Sequence, residues 1–166
     1  MTYLAGKKAN YDKFPHIEVK GFENQSWQGW EQLLTAINNK LSQQQKKQVL
    51  VVDTYPGVDL NELQTQLNIA FPNATLINAE TAKYPEEKIF QMIERNITDD
   101  RVFGIIAHHK LEEFFDNNKL AELKQDIVTS ENELVIVFGP GATLVHQGDV
   151  HVYADLARWE IQQRYR

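Results

Sequence analysis

Four consecutive branched residues, Val49-Leu50-Val51-Val52, leave no position for a polar face. A strand with one side in water alternates apolar and polar residues, because successive side chains point to opposite faces. This run must be covered on both sides, which is the condition of a parallel sheet between two layers of helices. Leu134-Val135-Ile136-Val137-Phe138 repeats the pattern. Shorter runs stand at Ala74-Thr75-Leu76-Ile77, Val102-Phe103-Gly104-Ile105-Ile106 and Val150-His151-Val152-Tyr153. Five strands in a mainly parallel sheet are therefore expected.

Helical periods separate the strands. Trp27, Trp30, Leu34, Ile37 and Leu41 recur at steps of three and four behind Ser26, a natural N-cap. Asp59 and Glu62 have capping-box spacing ahead of Leu60, Leu63 and Leu67. Pro85 opens a period of Ile89, Ile93 and Ile97, and two helical pieces around 111–115 and 120–127 are broken at Asp116-Asn117-Asn118. A last helix is expected from Asp155 onward. Strand and helix in alternation predict an α/β domain over residues 26–166 with helices on both faces. Residues 1–25 show no period and read as an N-terminal arm pinned by Tyr11, Phe14 and Phe22.

Composition narrows the function. With 166 residues and 42% hydrophobic residues, one self-sufficient core is expected. The absence of cysteine excludes disulfides, thiolate nucleophiles, Fe–S clusters and thiolate zinc sites. A net charge of -6 argues against a nucleic-acid partner. No apolar run approaches the ~20 residues of a membrane span, so no membrane partner and a cytoplasmic location are expected.

The most suggestive turn follows the first strand: Asp53-Thr54-Tyr55-Pro56-Gly57-Val58-Asp59-Leu60-Asn61. A phosphate-cradling loop has the spacing G-x-x-x-x-G-K-[ST] at such a place. Aligned on Pro56-Gly57, Thr54 and Asp59 take the two glycine positions, Leu60 the lysine and Asn61 the hydroxyl residue. The lysine is missing, and Asp53 and Asp59 would repel phosphate, so a capped structural turn is the stronger reading. Gly139-Pro140-Gly141 ends a later strand, on the side where open α/β sheets bind ligands. It is also ordinary turn punctuation. Arg158 and Arg164 stand about two turns apart on the last helix and could clamp phosphate, although Asp155 and Glu160 are placed to pair with them. If a ligand pocket exists, it is expected at Thr54, Gly57, Asp59, Gly139, Gly141 and Arg158. His108-His109 cannot readily share a metal ion, since neighbours point apart, and His146 and His151 are isolated. No metal site is expected. Glu86-Glu87 and Glu112-Glu113 read as solvated helix faces.

Four stretches together carry a family resemblance. They are Tyr11-Asp12-Lys13-Phe14-Pro15, Asp53-Thr54-Tyr55-Pro56-Gly57-Val58, Asp100-Arg101-Val102-Phe103-Gly104 and Tyr153-Ala154-Asp155-Leu156-Ala157-Arg158-Trp159-Glu160-Ile161-Gln162. They resemble the N-terminal extension of long bacterial proteins of the class I mannose-6-phosphate isomerase type. The resemblance implies that a cupin isomerase module follows this region in the full-length protein. That module would be the partner of this domain and would hold the zinc ion, with no cofactor in this chain. None of the module's metal-ligand motifs matches a position here. The extension is distantly similar to uridine-kinase-like P-loop domains, which implies a three-layer P-loop or Rossmann-like fold with strand order 2-3-1-4-5. The expected function is a non-catalytic accessory or regulatory domain with a degraded phosphate loop. The alternative is a sensor or kinase-like domain that binds a nucleotide or sugar phosphate.

Overall fold

The computed structural model describes residue 15 and residues 17–41, 46–100 and 103–164. Helix α1 (Gly29–Leu41) leads to strand β1 (Gln48–Thr54), followed by α2 (Leu60–Ala70) and β2 (Thr75–Asn78). After a 3-10 turn at Ala79–Ala82 come α3 (Glu86–Ile93), further 3-10 turns at Glu94–Asn96 and Leu111–Phe114, and α4 (Asn117–Thr129). Strand β3 (Leu134–Gly139), α5 (Ala142–Val145), β4 (Val150–Ala154) and α6 (Arg158–Arg164) complete the order. The four strands form one parallel sheet in the order β2-β3-β1-β4. Leu50 lies opposite Ile136 on one side and Val150 on the other, so β1 is central.

The continuous apolar runs behave as their pattern demands. Leu50, Val51, Val135, Ile136 and Val137 are fully buried, and the sheet carries a separate core on each face. One core joins Val49, Val51, Val135 and Val137 to Ala79 and Ala82 of the 3-10 turn, to Phe115, to Leu120 and Ile127 of α4, and to Ala142 and Val145 of α5. The other joins Leu50, Val52, Ile136 and Phe138 to Leu34, Ile37 and Leu41 of α1 and Leu63 and Leu67 of α2. Each fully buried Val, Leu, Ile or Phe among them stabilises the fold by roughly 1.5–3 kcal/mol relative to exposure.

Four strands are found where five were expected, and the missing one is at 102–106. Val102 lies outside the described residues, and residues 103–106 form no strand. Leu134–Gly139 takes the place between β2 and β1 that the expected order gave to the 102–106 run. The backbone of that run is satisfied locally instead: Ile105 donates to the Asn96 carbonyl at 3.0 Å, and Asn96 Nδ2 donates to the Ile105 and Ile106 carbonyls. It belongs to an excursion of residues 84–114 that leaves and rejoins the domain at one antiparallel bridge, Lys83 to Phe115. Not one described residue of the excursion is buried. Phe90, Ile97, Phe103, Ile105, Ile106 and Leu111 are all exposed on it.

The N-terminal expectations are also corrected. Gly29 adopts φ 78°, a left-handed backbone that interrupts any helix running on from Ser26, so α1 starts later than its sequence period. Trp27 is consequently outside the helix and exposed, while Trp30 packs on the second core. Phe22 is exposed and pins nothing, and Tyr11 and Phe14 lie outside the described residues.

Candidate functional site

The carboxyl ends of β1, β2 and β3 bring together the turn after Asp53, the side chain of Asn78 and the Gly139-Pro140-Gly141 turn. Asp53, next to last in β1, is the strand's only half-buried residue. Its Oδ1 accepts the Thr54 and Gly141 amides, each at 3.1 Å, and its Oδ2 accepts the Thr143 hydroxyl at 2.7 Å. One carboxylate thus ties β1 to the turn beyond β3 and to α5. Gly141 must be glycine: its φ is 79°, and a Cβ there would stand 2.5 Å from Cζ of Phe115. Asn78 Oδ1 accepts the Glu80 amide at 2.9 Å and would lie 3.0 Å from a Cβ on Gly139.

On the other side of β1, Asp59 caps α2. Its Oδ1 accepts the Asn61 and Glu62 amides at 3.0 Å each, and its carbonyl accepts the first helical bond from Leu63. The reciprocal half of the expected capping box is absent, because Glu62 Oε1 accepts the Trp30 indole N–H at 2.9 Å. Gly57 has φ 103°, and its carbonyl accepts Arg164 Nη1 at 2.7 Å. Arg164 also donates through Nε to Glu160 at 2.9 Å, the surface pairing its spacing suggested. Arg158 is exposed and is not drawn into this turn. Thr54 is buried, with its Oγ1 lacking a hydrogen-bond partner.

The expected pocket residues therefore fall into three groups. Thr54, Gly57 and Asp59 share one turn, Gly139 and Gly141 share the neighbouring one, and Arg158 stands apart. The link between the two turns is Asp53, whose charge in the sequence alone marks only a site that repels phosphate. A lone carboxylate at the buried end of an apolar strand, with Gly-Pro-Gly-Ala-Thr ending another, is the signal that could have found it. Tyr153 lies close by, its phenol held above the usual range by lost hydration and then by the negative charges of Asp155 and Asp53.

Chemically, these groups are already engaged. Both oxygens of Asp53 and the capping oxygen of Asp59 take protein donors, and Leu60 supplies no charge. Among the described residues, no three His, Asp or Glu side chains are grouped to hold a metal ion. His108 is exposed, whereas His109 joins Glu113 at 2.8 Å and the Met92 carbonyl at 3.1 Å. Glu112 and Glu113 are both exposed, as a solvated face requires, and Glu113 in addition holds His109, as an ion pair when the imidazole is protonated.

Residues 29–166 match a protein family described as a domain of unknown function, DUF8485. The chain belongs to that family. In DUF8485 terms, the match takes in all four strands, both cores and both turns of the candidate site. No curated protein and no solved structure matches the chain.

Proposed function

We propose that this chain is a non-catalytic accessory or regulatory domain of a cytoplasmic mannose-6-phosphate isomerase-like protein, built on a P-loop or Rossmann-like frame whose phosphate turn is closed. The single observation that carries the reading is Asp59, whose carboxylate occupies the Asn61 and Glu62 amides at the start of α2. Those first-turn amides are the donors an anion would use, and a side-chain carboxylate already holds them. The β2-β3-β1-β4 order, with β1 central and parallel throughout, supports the P-loop-like frame. The partner in this reading is a following isomerase module that carries the zinc, while this chain contributes no cofactor and no chemistry.

Calorimetric titration with MgATP and with mannose 6-phosphate tests it. Binding no tighter than millimolar is expected, together with no isomerisation of mannose 6-phosphate and no retained zinc. A second reading, a sensor for a nucleotide or sugar phosphate, is favoured by the buried hydroxyl of Thr54, which has no partner. A micromolar dissociation constant lost in Thr54→Val would establish the sensor in place of the accessory domain.

A further inference from the structure

Helix α3 is amphipathic, and its apolar side is left half uncovered. Ile89, Ile93 and Ile97 recur every four residues with Phe90 beside them, so the row continues past α3 through the 3-10 turn at Glu94–Asn96. No residue of α3 is buried, and Phe90 is 54% and Ile97 51% exposed. A helix this short draws its stability from packing its apolar side on something else. Along it runs a groove of about 630 Å³, lined by Ile89, Phe90 and Ile93 together with Lys83, Glu86, Glu87 and Gln91.

The border of this groove is acidic. Glu86 and Glu87 line it, and Glu94, seven residues after Glu87, lies on the same side of the helical path. None of the three takes a salt-bridge partner among the described residues. The neighbouring cations are held by other groups or face away. Lys83 pairs with Glu80 at 2.8 Å, Lys88 sits 3.2 Å from the centre of the Tyr84 ring, and Arg95 lies toward His109, whose protonation it opposes. A fitting occupant therefore brings apolar side chains and positive charge. A second copy does not fit, because two-fold antiparallel packing of this row sets Glu87 and Glu94 of one copy against the same carboxylates of the other.

The N-terminal segment of the same chain has the required chemistry. Residues 1–14, which lie outside the described residues, hold Lys7, Lys8 and Lys13 against Asp12 alone, with Tyr3, Leu4, Tyr11 and Phe14 among them. We propose that this segment occupies the α3 groove of its own chain, with apolar side chains on Phe90, Ile93 and Ile97 and lysines against Glu86, Glu87 and Glu94. Residues 15–28 are exposed wherever described and reach up to about 45 Å when extended, enough to cross a domain of this size. The inference goes beyond the proposed function and does not depend on it.

Carbodiimide coupling of the full chain, mixed from two isotopically labelled preparations, is the first test. It joins ammonium to carboxylate groups in direct contact, and links from Lys7, Lys8 or Lys13 to Glu86, Glu87 or Glu94 are expected within single chains. Trypsin cleavage after Lys13 is the second. It should speed up at least about fivefold in Phe90→Gln, since proteolysis follows the population of the open form. Glu86→Lys with Glu87→Lys should have a similar effect, and adding Lys7→Glu with Lys8→Glu should restore the slow rate, which a merely misfolded variant would not recover. The proposal is overturned if none of these links forms or they join only different copies. It is equally overturned if cleavage after Lys13 is indifferent to Phe90→Gln, or if the reversed charges fail to restore the parent rate.

Discussion

Asp59 and Thr54 share one turn and act on stability with opposite sign. Asp59 satisfies two amides that α2 would otherwise leave without acceptors. Asp59→Ala should cost about 1 kcal/mol in urea unfolding through the lost cap, with nucleotide affinity unchanged at its millimolar floor. Thr54 does the reverse, because its buried Oγ1 has given up water without gaining a partner. Thr54→Val keeps the shape and removes that polar atom, so the unfolding free energy should rise by about 1 kcal/mol. A loss of stability instead would mean that the hydroxyl has a partner in solution. Of this site, the cap was legible in the sequence, since Asp59 stands next to an apolar helical period. The bonds from Gly141 and Thr143 to Asp53 were not, because they depend on β3 lying beside β1, a pairing between residues far apart in the chain.

Among the elements, the excursion of residues 84–114 is held by polar contacts rather than by a core. His109 is its central fastener: Nδ1 meets Glu113, Nε2 meets the Met92 carbonyl, and the ring sits edge-on to Phe114 at 5.6 Å. The Glu113 carboxylate, followed by the Met92 carbonyl, holds the imidazole above its ordinary range, and the imidazole in turn lowers Glu113. A raised histidine contributes stability that is complete below its unfolded value and lost as pH climbs through the folded one. A lowered glutamate contributes above its unfolded value and loses it as pH falls through the folded one. The fastener should therefore be strongest between about pH 4.3 and 6.5 and loosen above that range. Hydrogen exchange of the Ile97, Phe103 and Ile105 amides, corrected for intrinsic rates, should lose protection across the raised histidine titration. His109→Gln should abolish the step, and equal profiles for the two proteins would refute the role. The sequence concealed this behaviour, because Val102-Phe103-Gly104-Ile105-Ile106 has the composition of a buried strand. Composition cannot show that β3 and β4 already flank β1, or that Asn96 captures the local backbone.

At the scale of the whole molecule, the parallel sheet and its two helical layers were legible because an apolar run without alternation has few other ways to avoid water. Val49-Leu50-Val51-Val52 and Leu134-Val135-Ile136-Val137-Phe138 carry that information within themselves, and they became the adjacent central strands. Strand number was harder to read, since an equally apolar run can sit outside the sheet when the sheet is complete without it. This division has a testable consequence. Tyr84 donates to the Phe114 carbonyl at 2.9 Å and Asp116 to the Ala82 carbonyl at 2.8 Å, so the two ends of the excursion run side by side at its neck. Antiparallel partners lie about 5 Å apart, a gap that a two-residue Asn-Gly turn can close. Replacing residues 85–113 by Asn-Gly keeps Phe114, which packs on the first core, and removes no buried side chain among the described residues. The lost fastener weakens the molecule, while the shorter loop returns closure entropy on the order of 2 kcal/mol. The shortened chain should unfold in one cooperative transition, with a thermal midpoint within a few degrees of the parent or above it. A molten or insoluble product would show that the excursion belongs to the folding unit, and the two cores alone would then not account for the stability of the domain.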